Sequence, residues 1–89
     1  MMDSNEMVQL YAYLMDEVEG FKDYSAMSYK YKLSNNSSLA STFQQMAQAE
    51  KGHAEALLKM INEHLSKSEN SELKMFIKEI NSYVLKDIQ

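Results

Sequence analysis

The chain has 89 residues, with 13 acidic and 9 basic side chains, a formal charge of −4 and no cysteine. That length holds a single domain, residues 1–89, small enough that pairing with further copies of itself is expected to complete its core. Disulfides, thiolate metal ligands and a cysteine nucleophile are excluded, and nine lysines scattered without any arginine offer no basic patch for nucleic acid.

Residues 1–9 carry Asp and Glu where a secretory signal would carry Lys or Arg, and no apolar run approaches membrane-spanning length. The expectation is a soluble, cytoplasmic protein with no membrane partner. Proline is absent and glycine occurs only at Gly20 and Gly52, so little interrupts a helix anywhere and an all-α fold is predicted. Asp3, with Glu6 three residues on, resembles a capping box, and the apolar period then carries a first helix over residues 1–33. Its seam runs Met7, Leu10, Leu14, Glu17, Phe21 and Tyr24, with a carboxylate where a Leu would be expected.

Residues 34–38, Ser-Asn-Asn-Ser-Ser, form a turn cluster whose last serines can cap a second helix over residues 38–65. Steps of four and three place Leu39, Phe43, Met46, Glu50, His53, Leu57 and Met60 on one seam, and this spacing predicts that Glu50 and His53 are buried. A buried ionisable group protonates, finds a partner or binds a metal. Residues 66–70 break the pattern. Ser71 can then cap a third helix over 71–88, whose apolar residues are Leu73, Phe76, Ile77, Ile80, Tyr83, Val84 and Ile88.

A short turn between two long helices implies an antiparallel hairpin. Pairing residues equidistant from Asn35 and Asn36 sets Glu17 level with His53, and Glu50 falls about one turn, roughly 5 Å, nearer the loop. The three polar seam residues therefore converge on one layer. One hairpin leaves half of its apolar stripe uncovered, so a second copy is expected to complete a four-helix bundle by dimerisation. In a twofold dimer Glu17, Glu50 and His53 each appear twice, giving four carboxylates and two imidazoles, the donor set of carboxylate-bridged di-iron bundles. Mixed oxygen and imidazole donors suit iron in both its common oxidation states, and manganese or zinc fits the same set. Tyr24, two turns from Glu17 on the same seam, is either a core aromatic or a hydrogen-bond partner standing behind the ligands.

The run Glu17-Val18-Glu19-Gly20-Phe21-Lys22-Asp23-Tyr24 resembles the first-helix pattern of the rubrerythrin and ferritin-like family: Glu, a small residue three later, Tyr seven later. Met46-Ala47-Gln48-Ala49-Glu50-Lys51-Gly52-His53-Ala54 resembles its second-helix motif, and the 33-position offset from Glu17 to Glu50 is similar to the rubrerythrin spacing. The resemblance covers residues 7 to 62. It implies a non-haem di-iron protein with two irons per dimer, held by Glu17, Glu50 and His53, and with ferroxidase or peroxide-reducing activity. A single hairpin per chain is similar in plan to the short encapsulated ferritins, whose metal site forms between subunits. The cysteine-ligated module of full rubrerythrins is missing, so electrons would come from a separate donor. The alternative is a structural or interaction bundle without redox activity that uses its third helix to dock another protein.

Overall fold

The computed structural model describes residues 4–66 and 71–88. These form three helices, α1 (Ser4–Leu33), α2 (Ser37–Ser66) and α3 (Ser71–Ile88), in a body 53 Å long and 18 × 16 Å across. Thirty residues at 1.5 Å each span about 45 Å, so the first two helices set the length of the molecule. No helix among the described residues is long and apolar enough to cross a membrane. The Asp3 cap expected for α1 and the break at residues 67–70 lie outside the described residues, as do the Ser71 cap and the side chains of Leu73, Phe76, Ile77 and Ile88.

The turn is tighter than its five polar residues suggest. Asn35 adopts the left-handed conformation (φ 61°), and the amide of Asn36 donates to the carbonyl of Tyr31 at 2.9 Å while that of Asn35 donates to Lys32 at 3.2 Å. That pair of bonds is a Schellman ending, which satisfies the last carbonyls of α1. Asn36 then starts the next helix. Its Oδ1 accepts from the amide of Leu39 at 3.1 Å, so the cap of α2 is Asn36 and not one of the serines after it. Beside the turn the buried Ser28 hydroxyl donates to the carbonyl of Ala40 at 2.8 Å, pinning the register of the hairpin.

The buried line of α2 is Ala40, Ala47, Ala54 and Ile61, with Leu58 beside it; Ala54, Leu58 and Ile61 cluster with Met7, Leu14 and Val18 of α1. This corrects the expected seam. Alanine at every seventh position lets two helices approach closely, and the bulkier Leu39, Met46 and Met60 are turned to the edge of the hairpin, where they stay exposed. Phe43, Glu50 and Leu57 are half-buried between the two lines.

Helix α3 returns along the open end of the hairpin, parallel to α1 and antiparallel to α2. Val84 enters the core beside Leu58 and Ile61. The Tyr11 hydroxyl donates to Asn81 Oδ1 at 2.8 Å, and Asn81 Nδ2 donates to Asn62 Oδ1, so one nearly buried amide joins all three helices. Lys22 and Asp87 meet at 3.1 Å on the surface, a contact of small energetic weight. Tyr11, Val18 and Lys22 share one flank of α1, and Leu10, Glu17 and Tyr24 share the other. Helix α3 therefore covers the flank away from the ionisable seam residues, and the seam itself remains open.

Candidate metal centre

Glu17 reaches the centre from α1; Glu50 and His53, three residues apart and so on one face, reach it from α2. His53 Nδ1 lies 3.4 Å from Glu17 Oε2 and 3.9 Å from Glu50 Oε1. One donor atom from each residue falls within a mutual distance of 4.8 Å. The antiparallel register thus gathers the three residues as the spacing predicts. Burial differs from expectation. The carboxylates are mostly covered, at 27% and 26% exposed, whereas the imidazole is 62% exposed because its line on α2 faces outward, one position off the alanine core.

Two features show what the pocket between these side chains accommodates. Glu17 Oε2 is shut off from solvent and makes no close hydrogen bond, with His53 Nδ1 at 3.4 Å facing it; a cation or a proton between the groups would relieve the crowded carboxylates. Gly20, one turn beyond Glu17, makes the space into which Glu50 folds. A Cβ at that position would stand 2.7 Å from Glu50 Oε2 and 3.2 Å from its Cδ. The small residue is therefore a steric requirement of the carboxylate's position. A sequence pattern marks it only as small.

The carboxyl of Glu50 is pushed above its ordinary value of 4.5, first by the hydrogen bond shared with Glu17, then by burial and by the charge of Glu17; His53 pulls it the other way. Two carboxylates held this close compete for one proton unless a cation stands between them. Tyr24 packs its ring against Phe43 at a centroid distance of 6.1 Å, and Phe43 stacks on Tyr31 at 5.6 Å and 8°. Tyr24 therefore acts here as an aromatic of the layer next to the site, and no hydrogen bond ties it to the carboxylates. Asp16, Glu19, Asp23 and Glu55 are exposed and stand outside the cluster. His64 Nδ1 is also buried without a partner, but it lies about 21 Å along α2 from Glu50 and joins no metal-binding group among the described residues.

A family model for rubrerythrin matches residues 10–85, most of the chain and all three helices. The chain belongs to the rubrerythrin family. No curated protein and no solved structure matches it. Rubrerythrins are di-iron carboxylate proteins, and the Glu17, Glu50 and His53 cluster of this member offers the oxygen and imidazole donors such a centre uses. The donors fit iron by their chemistry: hard carboxylates, one of them carrying an orphaned oxygen, and a borderline nitrogen. What the spacing does not indicate is that His53 is far more exposed than the two carboxylates. In this rubrerythrin one hairpin gathers the three candidate donors and leaves the imidazole side of the cluster exposed.

Proposed function

We propose that this rubrerythrin forms a non-haem di-iron centre shared between two copies of the chain and uses it to oxidise ferrous iron or to reduce peroxide. The observation that carries the reading is the convergence of two mostly covered carboxylates and an imidazole, with one donor atom from each of Glu17, Glu50 and His53 within 4.8 Å of one another. Two copies supply four carboxylates and two imidazoles. Glu17, Glu50 and His53 of both copies would hold the ions, with the Glu50 carboxylate seated over Gly20 between the helices. Bound iron would supply the electrons by passing from ferrous to ferric, and a separate electron donor would have to restore it for repeated peroxide reduction. The chain's part is to hold the oxygen donors in place, to let Glu50 shift as charge changes, and to keep bulk water away with Phe21, Tyr24, Phe43 and Leu57. Manganese or zinc would bind the same donors without necessarily supporting turnover.

Anaerobic titration with ferrous iron, followed by exposure to O₂ or peroxide, tests both halves of the proposal. Wild type is expected to bind about two irons per dimer and to oxidise them. Glu50→Ala removes a carboxylate from each half-site, so binding should fall sharply. The metal-free variant should melt at the same temperature as wild type or higher, since a crowded carboxylate is gone. Equal binding by both proteins would eliminate the site. Binding without oxidation would indicate a structural ion.

A further inference from the structure

Charge is distributed unevenly along the molecule. Residues 24–49 contain no acidic side chain, and all 13 Asp and Glu lie outside them. That segment is the turn end of the hairpin: the last turns of α1, the loop and the first turns of α2. With Lys30 and Lys32 it carries +2, whereas the rest of the chain carries −6. Tyr29 and Leu33, four residues apart and so on one face of α1, are 63% and 68% exposed. The exposed Lys30 and Lys32 flank that face, one on each side. An apolar centre with a polar, cationic rim is the composition of a protein-docking surface, and its charge selects an acidic partner.

A second feature links this end to the metal centre. Glu17, Tyr24 and Tyr31 recur every seven residues along one line of α1, as Phe43 and Glu50 do on α2. Tyr24 packs on Phe43 at 6.1 Å between centroids, and Phe43 stacks on Tyr31 at 5.6 Å. Three rings in contact therefore begin two turns, roughly 10 Å, from the carboxylates and run toward the loop. The carbonyl of Tyr31 already accepts from the loop amide of Asn36. Conjugated rings give an electron closely spaced stations in place of one long passage through saturated side chains.

We propose that the turn end is the docking face for a small acidic electron-carrier protein, which sends electrons toward the centre by way of Tyr31, Phe43 and Tyr24. This rests on the di-iron reading above and adds to it the partner's charge and the place where it binds. Each reduced carrier loses one electron and one ferric ion becomes ferrous; two deliveries restore the pair, and no bond is made or broken. Lys30 and Lys32 attract an acidic carrier while the −6 remainder of the chain repels it, so the encounter is steered to this end and weakens as salt screens it.

Docking is measured first on the metal-free chain, with an acidic plant-type ferredoxin as the probe. In an NMR titration at low salt, amide signals of residues 28–40 are expected to shift and those of α3 to stay in place. Lys30→Glu/Lys32→Glu should bind the probe at least about tenfold more weakly, with Lys30→Gln/Lys32→Gln between it and wild type. Iron-loaded samples are then oxidised with peroxide and mixed with the reduced probe. Re-reduction should slow in the same order, whereas reduced methyl viologen, a small cation, should act on the variants no more slowly than on wild type. Tyr31→Leu should keep the docking and slow only the probe-driven step. Equal binding by wild type and the charge-reversed chain, or shifts confined to another surface, would overturn the docking face. Tighter salt-sensitive binding of duplex DNA or anionic vesicles than of the probe would overturn the carrier as its partner. An unchanged probe-driven rate in Tyr31→Leu would overturn the route through the rings. A chain that docks the probe at the lysines yet takes up no iron would refute the di-iron reading and the electron delivery built on it, while the docking face stands.

Discussion

Glycine inside a helix costs about 1 kcal/mol relative to alanine, and α1 accepts that cost at Gly20, within one turn of a ligand. The structure shows the return: the Glu50 carboxylate occupies the volume a methyl group would take. Gly20→Ala therefore sets two effects against each other. The helix gains propensity, and the displaced atoms are the far end of a flexible side chain that can swing away, so the metal-free protein should melt no lower than wild type. The carboxylate, however, leaves its place between the helices, and iron affinity should fall by about ten- to a hundredfold, the range for residues that position a ligand. Calorimetry of the apo protein and iron titration, run on the same preparation, check the pair. A loss of stability with unchanged affinity would show that Gly20 serves packing alone.

At the scale of elements, α1 and α2 are joined by their long alanine-lined interface, whereas α3 is held at one end by Val84 and by the Tyr11, Asn81 and Asn62 hydrogen bonds. Burial pushes the Tyr11 phenol up to about 12 from 10.0. The folded state thus keeps this proton at pH values where the unfolded chain has lost it. Stability should be unaffected by this group below pH 10 and should fall as pH rises from 10 toward 12, because the unfolded state then binds fewer protons. Tyr11→Phe removes that part of the alkaline slope. It also deletes one donor to a nearly buried amide, at about 1 kcal/mol at neutral pH. Melting curves from pH 8 to 12 measure both, and an identical alkaline slope in the two proteins would show that the phenol ionises freely in the folded state.

For the whole molecule, the distribution of exposed surface predicts assembly. One flank of the hairpin is covered by α3, and a shallow apolar groove of about 660 Å³ between α1 and α3 remains on that side, lined by Val8, Met15 and Tyr83 among others. The other flank carries the Glu17, Glu50 and His53 cluster and the partly exposed Leu39, Met46 and Met60, and α3 does not cover it. Sedimentation across a range of concentrations should show a dimer that dissociates on dilution, and added ferrous iron should shift the equilibrium toward the dimer, since ions held by both copies bind only the pair. A compact monomer at high concentration, with and without iron, would leave the half-site without its second set of ligands.

Much of this protein follows from local pattern. The absence of proline, the polar interruptions at residues 34–38 and 66–70 and the sustained apolar period determine the helices and the hairpin, and a short turn makes the register a matter of counting, which sets Glu17, Glu50 and His53 close to one height. The helical period, however, says only that a stripe exists. Alanine contributes little to an apolar pattern yet allows the closest helix approach, so the pattern points to the bulkier line of Leu39, Met46 and Met60 and not to Ala40, Ala47 and Ala54 beside it. Tertiary packing alone decided that His53 faces outward, that Glu50 needs the hollow at Gly20, and that α3 covers the opposite flank. Each of these depends on how closely two helices approach and on which side a third one lies, and neither quantity is encoded by the spacing of residues along one helix.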